Sequence, residues 1–383
     1  MTKLEELIQK LCPNGVEHKP LNEVSEMKRG TSITKKDIVE GEIPVVSGGR
    51  EPAYYCDKYN RDGETITVAG SGAGAGYVQY WTKPIFVCDA FSIQGNPGIQ
   101  TKYIYYFLTN IQDYIYSTKK GGGVPHVHIS SIENVSVPVP PLPVQREIVR
   151  ILDNFTELTA ELTAELTARK KQYAYYRDKL LSTNNSSVPV VELRDIVKKS
   201  CSGATPAKGN AEYYENGTIP WIRTQDVRFN EITEVNSYIT EKAVSETATK
   251  WIPENCVIVA ISGATAGRCA INKIKATTNQ HCLNLIIDDS MALYRYVFHC
   301  LCSKYEELIS RKQGARGDLN SSLILSLPIP IPSLEVQKRL VEVLDNFDAI
   351  CTDLNIGLPA EIEARQKQYE YYRDKLLTFT PAD

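Results

Sequence analysis

Long apolar runs are missing from this sequence. No stretch approaches the roughly 18 apolar residues of a membrane-spanning helix, and the opening Met1-Thr-Lys-Leu-Glu-Glu-Leu7 is charged where a secretory leader would be apolar. The expectation is a cytoplasmic chain with no membrane partner. Paired Cys-x-x-Cys spacing is missing too. The 10 cysteines are scattered from Cys12 to Cys351, with only Cys300 and Cys302 close together, which excludes a disulfide scaffold and fits a reduced compartment. An excess of one charge is also lacking: 43 Lys and Arg stand against 46 Asp and Glu, for a net charge of -3. No global basic field attracts anions, so any nucleic-acid surface must be local.

Catalytic signatures are absent as well. In Gly70-Ser-Gly-Ala-Gly-Ala-Gly76 the third glycine of a GxGxxG pattern falls on Ala75, and neither this loop nor Ser262-Gly-Ala-Thr-Ala-Gly267 continues into Lys-Ser/Thr. Two readings stay open: a tight turn between strands, or glycines admitting a sugar-phosphate backbone at close range. His126 and His128, two apart on one strand face, have the spacing of metal ligands but no third ligand beside them, so no metal site is assigned. His281-Cys282 and His299-Cys300 sit between apolar residues, a setting for core or ordinary surface rather than thiol catalysis. Asn96-Pro97-Gly98 is a turn and not a methyltransferase signature. No catalytic residue is assigned.

What the sequence does contain is an internal repeat. Ala168-Arg-Lys-Lys-Gln-Tyr-Ala-Tyr-Tyr-Arg-Asp-Lys-Leu-Leu181 matches Ala364–Leu377 at twelve of fourteen positions, and Leu152-Asp-Asn-Phe155 returns unchanged as Leu344–Phe347. Pro138–Leu142 returns as Pro330–Leu334, and Ile43-Pro44 faces Ile219-Pro220. The 383 residues are enough for two to three domains at about 150 residues each, and here they form one unit used twice. The helical segments are nearly identical, whereas the stretches near 20–140 and 190–330 share only punctuation.

From Val144 to Leu181 the chain has no Gly or Pro and carries apolar residues at helical spacing, at Ile148, Leu152, Phe155, Leu158, Leu162 and Leu166. Pro143 before it and Ser182–Ser187 after it bound a single long helix. In the second copy the series becomes Leu344, Phe347, Ile350, Leu354, Leu358 and Ile362, with one more four-residue step between its anchors. Such a step lengthens a helix by about 6 Å, while Pro359 after Gly357 kinks this copy or restarts it. Burying both stripes against each other as an antiparallel, irregular coiled coil is the simplest expectation; packing of each helix on its own globular part is the alternative. The globular parts carry strand-like runs at Glu64–Ala69, Pro84–Cys88, Val257–Ile261 and Leu283–Ile287, and helix-like stretches at Lys102–Tyr116 and Met291–Arg311. The fold class is α+β.

Two basic, glycine-bearing loops precede the last strand of each unit, Lys119-Lys-Gly-Gly-Gly-Val-Pro-His126 and Arg311-Lys-Gln-Gly-Ala-Arg-Gly-Asp318. Lys and Arg contact phosphate, Arg also reads guanine, and glycine lets a loop follow a groove; a solvated surface loop is the alternative. The candidate DNA-binding residues are Lys119, Lys120, Gly122, His126, Arg311, Lys312 and Arg316 here, with Arg50 after Ser47-Gly-Gly49 and with Arg223 and Gln225 in Trp221–Asp226. The last two equally suit an exposed strand face. Arg169-Lys-Lys171 and Arg365-Gln-Lys367 read as helix surface or partner interface.

In the repeated Leu-Asp-Asn-Phe and Gln-Tyr-x-Tyr-Tyr-Arg-Asp-Lys-Leu-Leu helices, the Thr-Ala-Glu-Leu tetrads and the Pro-x-Pro-x-x-x-x-Gln segments (Pro138 to Gln145, Pro330 to Gln337), the sequence resembles the specificity subunits of type I restriction-modification systems along its whole length. The resemblance implies two mixed α/β target-recognition domains, 1–142 (with a short N-terminal helix) and 186–333. They are joined by two long antiparallel helical spacers, 143–185 and 334–383. It implies that each domain reads one half of an asymmetric bipartite site on double-stranded DNA, and that the helices set the gap and dock two modification subunits. Adenine methylation and cleavage would lie on modification and restriction subunits, with S-adenosylmethionine, ATP and Mg bound there and no cofactor on this chain. A stand-alone DNA-binding regulator and a coiled-coil adaptor are the competing readings. Two further expectations are that residues 1–185 self-associate on a palindromic site and that Met1–Asn14 packs near the C-terminal helix.

Overall fold

The computed structural model describes residues 2–33, 39–182, 187–312 and 318–382. The chain divides into two compact units, Met1–Thr163 together with Glu361–Asp383, and Ala164–Ala360. They are called here unit 1 and unit 2. Both are mixed α+β and follow one plan.

In unit 1, an antiparallel sheet runs in the order Ser25–Arg29, Ala90–Gly95, Thr65–Ala69, Val78–Trp81. Thr65–Ala69 is buried along its whole length because both its faces are covered. Ile66, Val68, Phe91 and Ile93 pack with Ile104, Leu108 and Ile115 from two consecutive helices, Thr101–Asn110 and Gln112–Ser117. A second sheet, Tyr54–Cys56, Ile43–Val46, Phe86–Val87, contains a parallel pair, and His18–Pro20 pairs with Ser136–Pro138.

Unit 2 repeats the plan and adds to it. Its larger sheet runs Val197–Ser202, Cys282–Ile287, Val257–Ala260, Cys269–Asn272, Asn230–Ile232, the last strand joining in parallel. Its smaller sheet is Tyr238–Ile239, Ile219–Ile222, Ala276–Thr278, Trp251–Ile252. The helices Tyr294–Ser303 and Tyr305–Ser310 and the pair Val190–Glu192 with Pro328–Pro330 complete it. The strand-like and helix-like runs expected from the sequence all fall on these elements.

The repeated motifs fasten each sheet-bearing part to the start of its own helix. Gln145 is buried: its Oε1 accepts from the Gln100 backbone N–H at 2.9 Å and its Nε2 donates to the Pro140 carbonyl at 2.8 Å. Gln337 does the same with Leu293 N–H at 2.9 Å and Pro332 O at 2.9 Å. Tyr103 and Tyr296 donate to the carbonyls of Pro138 (3.0 Å) and Pro330 (2.8 Å). The aspartate of Leu-Asp-Asn-Phe supplies a third tie, Asp153 to Lys102 Nζ and Tyr106 OH, and Asp345 to Arg295 Nε and His299 Nε2. Burial alone would raise the Asp345 carboxyl, but the hydrogen bonds and charges of His299 and Arg295 hold it below its ordinary value.

The long helix spans Leu142–Leu180. Its first turns, through Val144, Ile148 and Leu152, pack on Leu4, Tyr103 and Leu377 in unit 1, and the Phe155 ring stacks on Tyr372 at 5.5 Å. Its last turns belong to unit 2, where Tyr173 OH meets His299 Nδ1 at 3.3 Å and Tyr176 lies 6.4 Å from Phe347. The second copy is not one helix. It runs Leu334–Thr352, breaks, and resumes as Leu358–Leu377. The Asp353 carboxylate accepts from the N–H groups of Asn355 (2.7 Å) and Ile356 (3.2 Å), a local bond that competes with helix continuation. The added tetrad is thus spent in a break instead of an extra helical turn, with Pro359 in the first turn of the restarted helix. Nor is the leucine series a continuous buried seam. Leu152 and Leu344 are buried and Phe155, Leu162, Leu166, Phe347, Leu358 and Ile362 are half-buried, but Leu158, Ile350 and Leu354 are exposed, Leu354 by 70%.

The N-terminal helix Lys3–Leu11 is capped by Thr2, whose hydroxyl accepts from Glu5 N–H. Lys3 and Arg150 both bind Glu147, at 2.9 and 2.6 Å. Hydrogen bonds from Arg150, then Lys3, hold the Glu147 carboxyl down at about 2. Beyond the helix, Val16 exchanges backbone hydrogen bonds with Thr380 and Ala382 (2.9 and 3.0 Å). The first residues therefore pack on the C-terminal helix inside unit 1, as expected for Met1–Asn14.

Candidate nucleic-acid interface

Three segments singled out separately in the sequence meet on one face of unit 1. They are the turn Ser47–Arg50 after Ile43–Val46, the glycine loop Ser71–Gly76, and the basic hairpin Lys119–His128. The turn and loop touch through backbone: a Cβ on Gly48 would lie 2.2 Å from Ser71 O, and one on Gly74 would lie 2.4 Å from Gly48 O. Glycine is needed at both positions by the chain's own close approach, whereas Gly72, at φ +78°, has nothing within 4 Å of a Cβ position. The hairpin closes by reciprocal backbone bonds between Lys120 and His126 (2.9 and 2.8 Å). It is stitched to the loop by Gly72 N–H to Pro125 O and Val127 N–H to Gly70 O, both 3.0 Å.

Two cations of this face lie against aromatic rings. Lys119 Nζ lies 4.3 Å from the Tyr116 ring centroid, and the Arg50 guanidinium lies 5.0 Å from that of Tyr77, each a cation–π contact. Lys120 and Gly122 are exposed, and Gly122 has nothing within 4 Å of a Cβ position. His126 and His128 stack in parallel, 6.0 Å apart. They line a cleft of about 190 Å³ with Arg29, Gly70 and Asp89. Among the described residues no cluster of three His, Cys, Asp or Glu is arranged to hold a metal ion.

Unit 2 builds the same junction with different atoms. Thr265, in the loop Ser262–Gly267, donates its hydroxyl to the Thr224 carbonyl at 2.9 Å, so a side chain bridges turn and loop where unit 1 uses bare backbone. Leu319 N–H to Ile261 O, 2.8 Å, matches Val127 to Gly70. Arg223 has its guanidinium 5.8 Å from the Trp221 ring, and its buried Nε has no hydrogen-bond partner among the described residues. Gln225 is exposed, its carbonyl accepting from Arg228 Nε at 2.6 Å. Arg311 is not a free cation: it pairs with Glu307 at 2.5 Å and donates to Leu323 O. Lys312 is half-buried, two residues beyond the helix Tyr305–Ser310. Arg316 lies outside the described residues.

The cysteines of the two His-Cys pairs, and His299, are structural. Burial pushes the Cys282 and Cys300 thiols up to about 12, so neither supplies thiolate near neutrality, and the fully buried His299 is held between Asp345 and Tyr173. Sequence reasoning missed Arg29 and Asp89, which no spacing connects to the hairpin; strand order alone brings them to its cleft.

Comparison with known proteins agrees with this architecture. The type I restriction modification DNA specificity domain matches twice, over residues 13–169 and 185–364. A type I restriction enzyme specificity subunit of Escherichia coli is 39% identical over 291 residues, covering 73% of this chain and 70% of that one. A putative type I restriction enzyme specificity subunit of Haemophilus influenzae is 29% identical over 401 residues and 99% of both chains. Among solved structures, the S subunit of a type I restriction-modification system from M. genitalium superposes with a TM-score of 0.57 over 94% of both chains at 18% identity. A chain from a study of type I restriction-modification complex assembly gives 0.66 over 95% and 98%, at 17% identity. With two matches that between them span most of its length, this chain belongs to the type I restriction modification DNA specificity family.

Proposed function

We propose that this chain is the DNA-recognition subunit of a type I restriction-modification complex, in which unit 1 and unit 2 each read one half of an asymmetric bipartite site. One observation carries the reading: two units of one fold place turn and loop at the same junction but furnish it with different side chains. A shared frame with divergent contacts suits two readers of two different sequences. Arg50, Lys119, Lys120, Gly122 and His126 serve one half-site; Arg223, Gln225, Lys312 and Arg316 serve the other, where Arg311 is already held by Glu307. Lys and Arg there supply phosphate contacts on a chain whose net charge attracts no anion globally. The helices dock two modification subunits, which methylate adenine using S-adenosylmethionine, and restriction subunits use ATP and Mg; this chain carries neither chemistry.

Mapping adenine methylation across the genome of cells carrying the modification subunit, with and without this chain, tests the reading. A split motif with a fixed gap is expected only when the chain is present. Unchanged methylation despite a formed complex would return the chain to the class of stand-alone regulators or adaptors.

A further inference from the structure

One connection in the fold differs between the units in length as well as chemistry. In unit 1, Cys88 N–H donates to Val46 O at 2.8 Å and Gly70 N–H donates to Asp89 O at 3.0 Å. In unit 2 the matching bonds run from Asn279 N–H to Ile222 O at 3.0 Å and from Ile261 N–H to His281 O at 2.9 Å. Between the small sheet and the large one, the first unit therefore places Asp89 alone, and the second places Gln280 and His281. All three are exposed. Each is aimed by a neighbour: the Ser71 hydroxyl of the glycine loop donates to Asp89 Oδ2, the Thr205 hydroxyl donates to Gln280 Oε1, and Gln280 Nε2 meets His281 Nε2 at 3.1 Å.

Asp89 makes no ion pair among the described residues. An exposed carboxylate on a face that meets a polyanion is repelled by phosphate, and is tolerated where a hydrogen-bond donor of the bases satisfies it. Cytosine presents such a donor in the major groove at its N4 amino group, and a glutamine amide matches adenine N6 and N7 together. Resting on the function proposed above, we infer that this connection is a specificity-determining position in each unit, with Asp89 accepting from a cytosine amino group in one half-site and Gln280 pairing with adenine in the other.

The test is binding-site selection from a randomised duplex library by the full chain assembled with modification subunits. Asp89→Asn keeps an oxygen for Ser71 and replaces the other acceptor with a donor. It is expected to cut the preference at one base pair of one half-site by about tenfold, leaving the other half-site and the gap unchanged. Gln280→Glu is expected to do the reverse, altering only the half-site that Asp89→Asn spares. Ser71→Ala, which leaves the carboxylate in place but unpinned, gives a second readout, a smaller loss at the same base pair as Asp89→Asn. A motif identical to the wild type in both variants, or a uniform weakening at every position, overturns the inference. A wild-type complex that selects no split motif overturns the underlying function instead, so the two failures are told apart.

Discussion

Where unit 1 and unit 2 join their helices they are nearly superimposable in chemistry, and where they face outward they are not. Gln145 and Gln337 bond the same two backbone positions, and Tyr103 and Tyr296 bond the same proline carbonyl. The third tie keeps its aspartate and changes its donors, lysine and tyrosine for Asp153, arginine and histidine for Asp345. On the outer face, Gly74 gives way to Thr265, and Asp89 to Gln280 and His281. A buried amide has one arrangement that satisfies it, so it resists substitution; an exposed side chain pinned by one hydroxyl can be exchanged without disturbing the frame. The repeat is thus tight where burial makes it so.

Four measurements break or sharpen this comparison. Leu152→Ala and Leu344→Ala remove buried side chains at matching positions and are expected to destabilise their own units by about 3 kcal/mol each, read by hydrogen exchange as a function of urea. Equal loss of protection in both units from either variant would show that the units unfold as one. Gln145→Leu and Gln337→Leu strand two backbone groups apiece, buried or part-buried, at about 2 kcal/mol; a cost in one unit only would break the equivalence. Acid separates the units next. Glu147, held at about 2 in the folded state, lies below its unfolded value of about 4.3. Its contribution is therefore present above that value and lost as pH falls toward 2. Glu147→Gln is expected to flatten the acid side of the stability profile of unit 1 while unit 2 keeps its own, which Asp345 supports. The smallest effect belongs to Leu354→Ala: an exposed leucine in the helix break is expected to change stability by less than about 0.5 kcal/mol, and a larger loss in a melting curve would mean that a partner-free seam forms there after all.

Much of this architecture was legible in the sequence because periodicity and punctuation are local. The long helix, expected from Val144 and found from Leu142, and the strands around Ile66 and Val259 announce themselves within a few residues, and Pro359 marks an interruption in the second copy without deciding between a kink and a restart. The Gln145 and Gln337 motif was visible as a repeat, but its role was not, since its partners Gln100 and Leu293 lie far upstream. The extra tetrad misled for a similar reason: helical spacing says nothing about the Asp353 side chain capturing the backbone ahead of it. The Asp89 cleft was out of reach, because Arg29, Asp89 and His126 come together only through strand order.

Unit 1 takes its residues from both ends of the chain and unit 2 from the middle. The order in which the units are completed is then the reverse of the order in which they are begun. The unit that begins first is completed last, because Tyr369, Arg373 and Leu377 leave the ribosome after every residue of unit 2. Until then the apolar groups at Leu4, Ile148 and Leu152 wait without their final cover, and a message truncated before Glu361 would leave them so.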